Sequence, residues 1–196
     1  MLKSLIAGLT VFLLAAPCLG QSRDQVIAAA VVPLPAAMRD NAAVVRLDAA
    51  GQPETLRNGT NGMVCIADKP GDAVFDVRCY RDSFIHVVYR TFQLGANVSS
   101  PKVGAEIEAG KLKLSKEPTA GYRCLGPTTS YDPAMHSVIG EGECWESLHF
   151  PFRTAKEVGF PDMNEVPEHL RQTVPYVMGS GSYWSHVMIE HPPVKK

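Results

Sequence analysis

The chain carries almost no surplus charge: 19 Lys and Arg against 20 Asp and Glu leave −1. Without a basic field there is nothing to draw in a phosphate backbone, so nucleic acid is not an expected partner. C-x-x-C, H-E-x-x-H, a Walker A loop, a dinucleotide fingerprint and a G-x-S-x-G elbow are all missing, and Gly179-Ser180-Gly181-Ser182 has the wrong spacing for the last. Low-complexity tracts and internal repeats are missing too. After residue 20 no run is long and apolar enough to cross a bilayer. What is present is 196 residues, 45% hydrophobic and 20% charged, the mixture of one folded domain with its own core.

The first twenty residues differ from the rest. Lys3 supplies a positive start, Leu5 to Ala16 is an uncharged apolar run, and Pro17-Cys18-Leu19-Gly20 offers small residues for cleavage after Gly20. This pattern is a secretory signal and is too short for a comfortable bilayer span. The expected organisation is a signal over 1–20 and a single domain over 21–196. The expected location is exported, either periplasmic or extracellular.

Export changes the meaning of the cysteines. Removing the signal leaves Cys65, Cys79, Cys124 and Cys144, an even number in an oxidising compartment. Four cysteines allow three pairings, and local geometry expresses a preference among them. Met63 to Ala67 is short and apolar. Ala73 to Tyr80 alternates, with Ala73, Phe75, Val77 and Cys79 on one face and Val74, Asp76, Arg78 and Tyr80 on the other. Asp68-Lys69-Pro70-Gly71-Asp72 between them has turn chemistry. An antiparallel hairpin centred on Asp72 puts Cys65 opposite Cys79, within disulfide reach. Cys124 and Cys144 flank a second turn-rich stretch and form a similar pair.

Elsewhere, Ser22-Arg23-Asp24-Gln25 reads as a capping box before a helix that Pro33 and Pro35 end. Ala42 to Asp48 and Glu54 to Arg57 read as a hairpin. Ser83 is positioned to cap a helix whose Phe84, Val87, Val88 and Thr91 share a face, and 102–109 reads as a second helix. Gly121 to Leu125, Glu143 to Phe152 and Tyr183 to Glu190 read as strands. Thr154-Ala155-Lys156-Glu157 is another capping box, and 161–175 is a proline-punctuated loop. Strands, then helices, then strands argue an α+β domain with a mainly antiparallel sheet and a few short helices.

The last strand holds the most chemistry. Alternation puts Trp184, His186, Met188 and Glu190 on one face and Tyr183, Ser185, Val187 and Ile189 on the other. His186 and Met188 aim a borderline nitrogen and a soft sulfur the same way, which suits copper as Cu(I) better than Zn²⁺ or Mg²⁺. Met178 and His191 are close enough in sequence to add ligands. Trp184 and Glu190 are the accompanying binding candidates. Core packing is the competing explanation, because Met is a common gap-filler. Paired carboxylates at Glu106 and Glu108 or Glu141 and Glu143, and the set Asp82, Ser83 and His86, have spacings that any solvated surface offers.

The stretches Leu56 to Gly62, Pro70-Gly71-Asp72, Cys79-Tyr80, Glu108 to Leu112, Thr154-Ala155 and His186 to Ile189 together resemble a group of exported bacterial proteins of unassigned function. The resemblance covers most of the mature chain, implies the exported single-domain organisation and carries over no catalytic residue. The function expected is therefore binding rather than catalysis, with a small molecule, a metal or an envelope protein as partner. The alternatives are a secreted hydrolase whose histidine and carboxylates meet only in three dimensions, and a purely structural envelope component.

Overall fold

The computed structural model describes residues 21–96 and 99–191. The expected signal segment with Cys18, and the side chain of His191, lie outside the described residues.

Helix α1 (Arg23–Ala30) starts from the expected capping box: the Ser22 side chain accepts from the Gln25 N–H, and the Gln25 side chain accepts from the Ser22 N–H. A single turn, α2 (Ala36–Arg39), follows the prolines. Strands β1 (Ala43–Leu47) and β2 (Pro53–Arg57) form a hairpin around Asp48, whose Oδ1 accepts the N–H groups of Ala50 and Gln52 at 2.8 Å each. Strands β3 (Met63–Ile66) and β4 (Val74–Arg81) come next, then α3 (Asp82–Gln93) and α4 (Pro101–Glu108). The second half contains β5 (Thr119–Pro127), the short pair β6 (Tyr131–Asp132) and β7 (Ser137–Val138), β8 (Glu143–His149), α5 (Ala155–Val158), β9 (Tyr176–Met178) and β10 (His186–His191).

Eight strands make one sheet in the order β2-β1-β3-β4-β5-β8-β10-β9. All neighbours are antiparallel except β1 with β3. That exception arises because the chain leaves β2 and returns on the far side of β1. The return passes so close that a Cβ on Gly59 would lie 2.1 Å from the Ala43 nitrogen, so glycine is required there.

Both cysteine pairs form as expected. Cys65 stands opposite Cys79 across β3 and β4, and Cys124 stands opposite Cys144 across β5 and β8. Both bridges lie on one face of the sheet. There α1 and the turn that follows it pack Ala30 and Val31 against Val44, Leu56, Met63 and Cys65, and Ala29 and Val32 against Phe75, Val77 and Cys124. Farther along the same face, α5 covers Val177 and Val187. The opposite face is covered twice. At one end α3 and α4 bring Phe84, Val87, Val88 and Val103 onto Val45, Ile66 and Tyr80. At the other, Met163 and Val166 of the proline-rich segment pack on Tyr176 and Met188.

Three expectations shift. Helix α3 begins two residues early, with Arg81 at the N-cap position, so Ser83 is inside the helix rather than its cap. Strand β8 stops at His149. The final strand begins at His186, because Gly179 to Ser185 is a turn held by its serines: Ser182 Oγ donates to the Gly179 carbonyl and accepts the Trp184 N–H. Alternation therefore fails before His186. Tyr183 and Trp184 enter the same core cluster instead of opposite faces.

Candidate functional site

A trough of about 460 Å³ crosses the face opposite the disulfides, between the cover of α3 and α4 and that of the proline-rich segment. Five neighbouring strands build it through side chains that alternate onto that face. β4 contributes Arg78 and Tyr80, and β5 contributes Arg123. β8 gives Trp145, Ser147 and His149; β10 gives His186 and Met188; β9 gives Met178. Trp184 closes one wall from the preceding turn. Trp145 and Trp184 are the only two tryptophans of the chain, so its indole fluorescence reports on this trough alone.

The floor is cationic. Arg78 and Arg123 face each other directly in the β4–β5 register. Asp76 holds them together: its two carboxylate oxygens accept Nε and Nη2 of Arg123 at 2.8 Å each, and it also pairs with Arg78. Burial alone would raise the Asp76 pKa, but the hydrogen bond from Arg123 and the two guanidinium charges outweigh it and hold it below 3.8. Among the described residues, these two guanidinium groups against one carboxylate leave one positive charge. Arg123 lies 5.2 Å over the Trp145 ring and Arg78 lies 5.2 Å over the Phe92 ring, which keeps both extended along the face.

The imidazoles occupy the other end. His149 and His186 stack with ring centres 4.9 Å apart, and Trp184 meets His149 edge-on at 4.8 Å. Burial drives the His149 pKa well below 6.5, with the neighbouring His186 adding to it. Burial also lowers that of His186, against a hydrogen bond to the Trp184 carbonyl. Both rings are therefore neutral near pH 7. His186 Nδ1 donates to the Trp184 carbonyl at 2.6 Å, which fixes the tautomer and leaves Nε2 as an open lone pair.

His149 Nε2 lies 3.1 Å from Ser147 Oγ, which lies 3.4 Å from the Gly121 carbonyl. A serine next to a histidine of lowered pKa is the feature that favours a hydrolase, so its protons decide the matter. One arrangement satisfies both contacts: the serine donates to the Gly121 carbonyl, and His149 Nε2–H donates to the serine. In that arrangement the imidazole is a donor to the hydroxyl, not its base. Among the described residues Nδ1 is buried without a hydrogen-bond partner, so none of their carboxylates orients the ring as a triad requires.

Gly121 is part of this construction. A Cβ there would meet the Tyr80 ring at 2.6 Å and Ser147 Oγ at 2.7 Å. Gly121→Ala is expected to lower stability by about 2 kcal/mol through overpacking, measured as a shift of the urea midpoint. A neutral result would show that Tyr80 moves aside freely.

No family model, curated protein or solved structure matches this chain. Function has to be read from the trough itself.

Of the expected site residues, the fold brings His186, Met188 and Trp184 together and adds Met178 directly opposite His186. It takes Glu190 elsewhere: its Oε1 accepts the Tyr176 hydroxyl at 2.6 Å, outside the trough. His186 is buried, not solvated, at 6% exposure. His86 is half-buried and contacts the Lys113 carbonyl. Arg78, Arg123, Trp145, Ser147 and His149 are not recognisable as site residues from sequence. The alternation of Asp76, Arg78 and Tyr80 is legible there, but not which strand they face.

A larger cleft of about 530 Å³ beside the β1–β2 and β3–β4 turns carries less chemistry. Three of its carboxylates serve the turns: Asp48 accepts from Ala50 and Gln52, Asp68 from Asp76, and Asp72 from Val74, while Glu54 pairs with Arg46 and Asp76 with Arg78 and Arg123.

Proposed function

We propose that this is an exported binding protein that holds a small ligand in the trough and does not transform it. The observation that carries the reading is the convergence of two tryptophans, two neutral imidazoles and a guanidinium pair with one unmatched charge on a cleft across five strands. Concave, largely apolar sites with a few convergent polar groups are where small ligands bind. Export is supported by the apolar leader in the sequence and by two disulfides, which persist in oxidising compartments. Among the described residues no helix is long and apolar enough to cross a membrane.

The test is a titration with 1-anilinonaphthalene-8-sulfonate, whose flat apolar body and single negative charge match the aromatic walls and cationic floor. Saturable binding of one dye, with energy transfer from tryptophan, is expected. Arg123→Gln should weaken it about tenfold, the worth of one charge-assisted hydrogen bond. Absence of saturable binding defeats the reading. Hydrolysis of p-nitrophenyl acetate that disappears in Ser147→Ala defeats it in favour of the hydrolase.

A further inference from the structure

Sulfur marks one end of the trough. In the β9–β10 register Met178 stands directly across from His186, and Met188 follows two positions along β10 on the same face. Directly opposed residues in such a ladder have Cβ atoms about 5 Å apart. Residues two apart along a strand are separated by about 6.8 Å. A single ion between the three side chains is within reach of flexible thioethers on both sides. All three residues line the trough, and Met178 packs on the cluster that contains Met188.

The histidine is prepared for such a role. Its Nδ1–H is spent on the Trp184 carbonyl, the outer contact that metal-bound imidazoles generally make, and Nε2 forms no hydrogen bond to the described residues. Stacking on His149 and the edge contact with Trp184 at 5.9 Å restrict the ring to one orientation.

We propose that His186, Met178 and Met188 form a three-coordinate site for a soft monovalent cation, Cu(I). The inference rests on the reading of the trough as a place that a ligand enters. Ligand type sets the choice of ion. One imidazole and two thioethers suit Cu(I), whereas Mg²⁺ and Ca²⁺ demand oxygens and Zn²⁺ takes thiolate, imidazole or carboxylate. Among the described residues no group of three His, Cys, Asp or Glu is arranged to hold a metal, and the cysteines at 65, 79, 124 and 144 are consumed in disulfides. The competing role for the two methionines is gap-filling against Val166 and Tyr176.

The experiment is anaerobic transfer of Cu(I) from bicinchoninate to the protein purified with both disulfides intact, followed by loss of chelate colour and by tryptophan fluorescence. Met178→Leu and Met188→Leu keep volume and apolarity, so they separate ligation from packing. The expected result is one Cu(I) per chain, quenching of indole emission, and at least about tenfold weaker binding in each variant. Met163→Leu, which changes a methionine outside the trough, should bind like the parent. No transfer from the chelator, or equal transfer to parent and both variants, overturns the proposal. If the anionic dye enters the trough while Cu(I) does not, the copper site falls and the binding reading stands. If neither binds, both fall. Transfer that depends on Met178 and Met188 upholds the site; if the dye then stays out, the ion is the ligand that enters the trough and the reading of it as a site for an anionic organic ligand falls.

Discussion

Replacing Cys65 and Cys79 together by alanine lowers the unfolding free energy by about 3 kcal/mol, the loop-closure entropy returned to an unfolded chain cross-linked over a span of this size. The two residues are 14 positions apart and pair adjacent strands near the middle of the sheet. Both are completely buried under α1, against Val44 and Met63. The loss is therefore expected even where the reduced sheet keeps its register, because β3 and β4 remain joined by their short turn. Urea unfolding of the variant should show a lower midpoint and a steeper slope, since a chain without the bridge exposes more surface when unfolded. Burial adds a kinetic expectation. Dithiothreitol alone should leave this bridge intact until denaturant opens the sheet, while the Cys124–Cys144 bridge, whose Cys144 is partly exposed, should yield first. A midpoint unchanged by the double substitution would mean that the denatured chain already keeps these strands together.

Acid is expected to destabilise the fold well before its carboxylates titrate. His149 is neutral in the folded protein, its pKa pushed well below 6.5 first by burial and then by His186 stacked beside it. In the unfolded chain it takes a proton near pH 6.5. Below that value the unfolded state binds more protons than the folded state, so stability falls as pH falls. The slope contributed by His149 approaches about 1.4 kcal/mol per pH unit between 6.5 and its folded pKa. His186, also lowered by burial, adds in the same direction. The groups facing the pair do not counter this: Arg78 and Arg123 across the trough are cationic, and Asp76 is already committed to both. Unfolding free energies measured between pH 7.5 and 5 in His149→Phe and the parent check the expectation, with the variant showing the shallower dependence. Parallel curves would mean that His149 is protonated in the fold.

Part of this site was within reach of the sequence. His186 and Met188 lie two apart in a strand-like run, and period-two alternation puts such residues on one face wherever the strand sits. Trp184 joined them by a different route, since a serine-held turn, not the pleat, places it. Met178 was visible only as a neighbour in the chain; antiparallel pairing made it a directly opposed partner. Ser147 and His149 also alternate, but nothing local distinguishes a trough-lining serine from any other on a half-buried strand.

The chain alone specified what depends on short separations. The turn residues between Met63 and Tyr80 set a register in which Cys65 meets Cys79, capping boxes opened α1 and α5, and alternation assigned Asp76, Arg78 and Tyr80 to one face. These are contests among a few neighbouring dihedrals and hydrogen bonds, so a window of residues contains the answer. Strand order was settled only by the folded molecule. The parallel pairing of β1 with β3, the insertion of β8 between β5 and β10, and the meeting of Arg123 with Asp76 and of Met178 with His186 join residues far apart in the chain or across turns. Which strands become neighbours depends on how several amphipathic elements bury their apolar faces at once, a sum over the whole domain that no local pattern encodes.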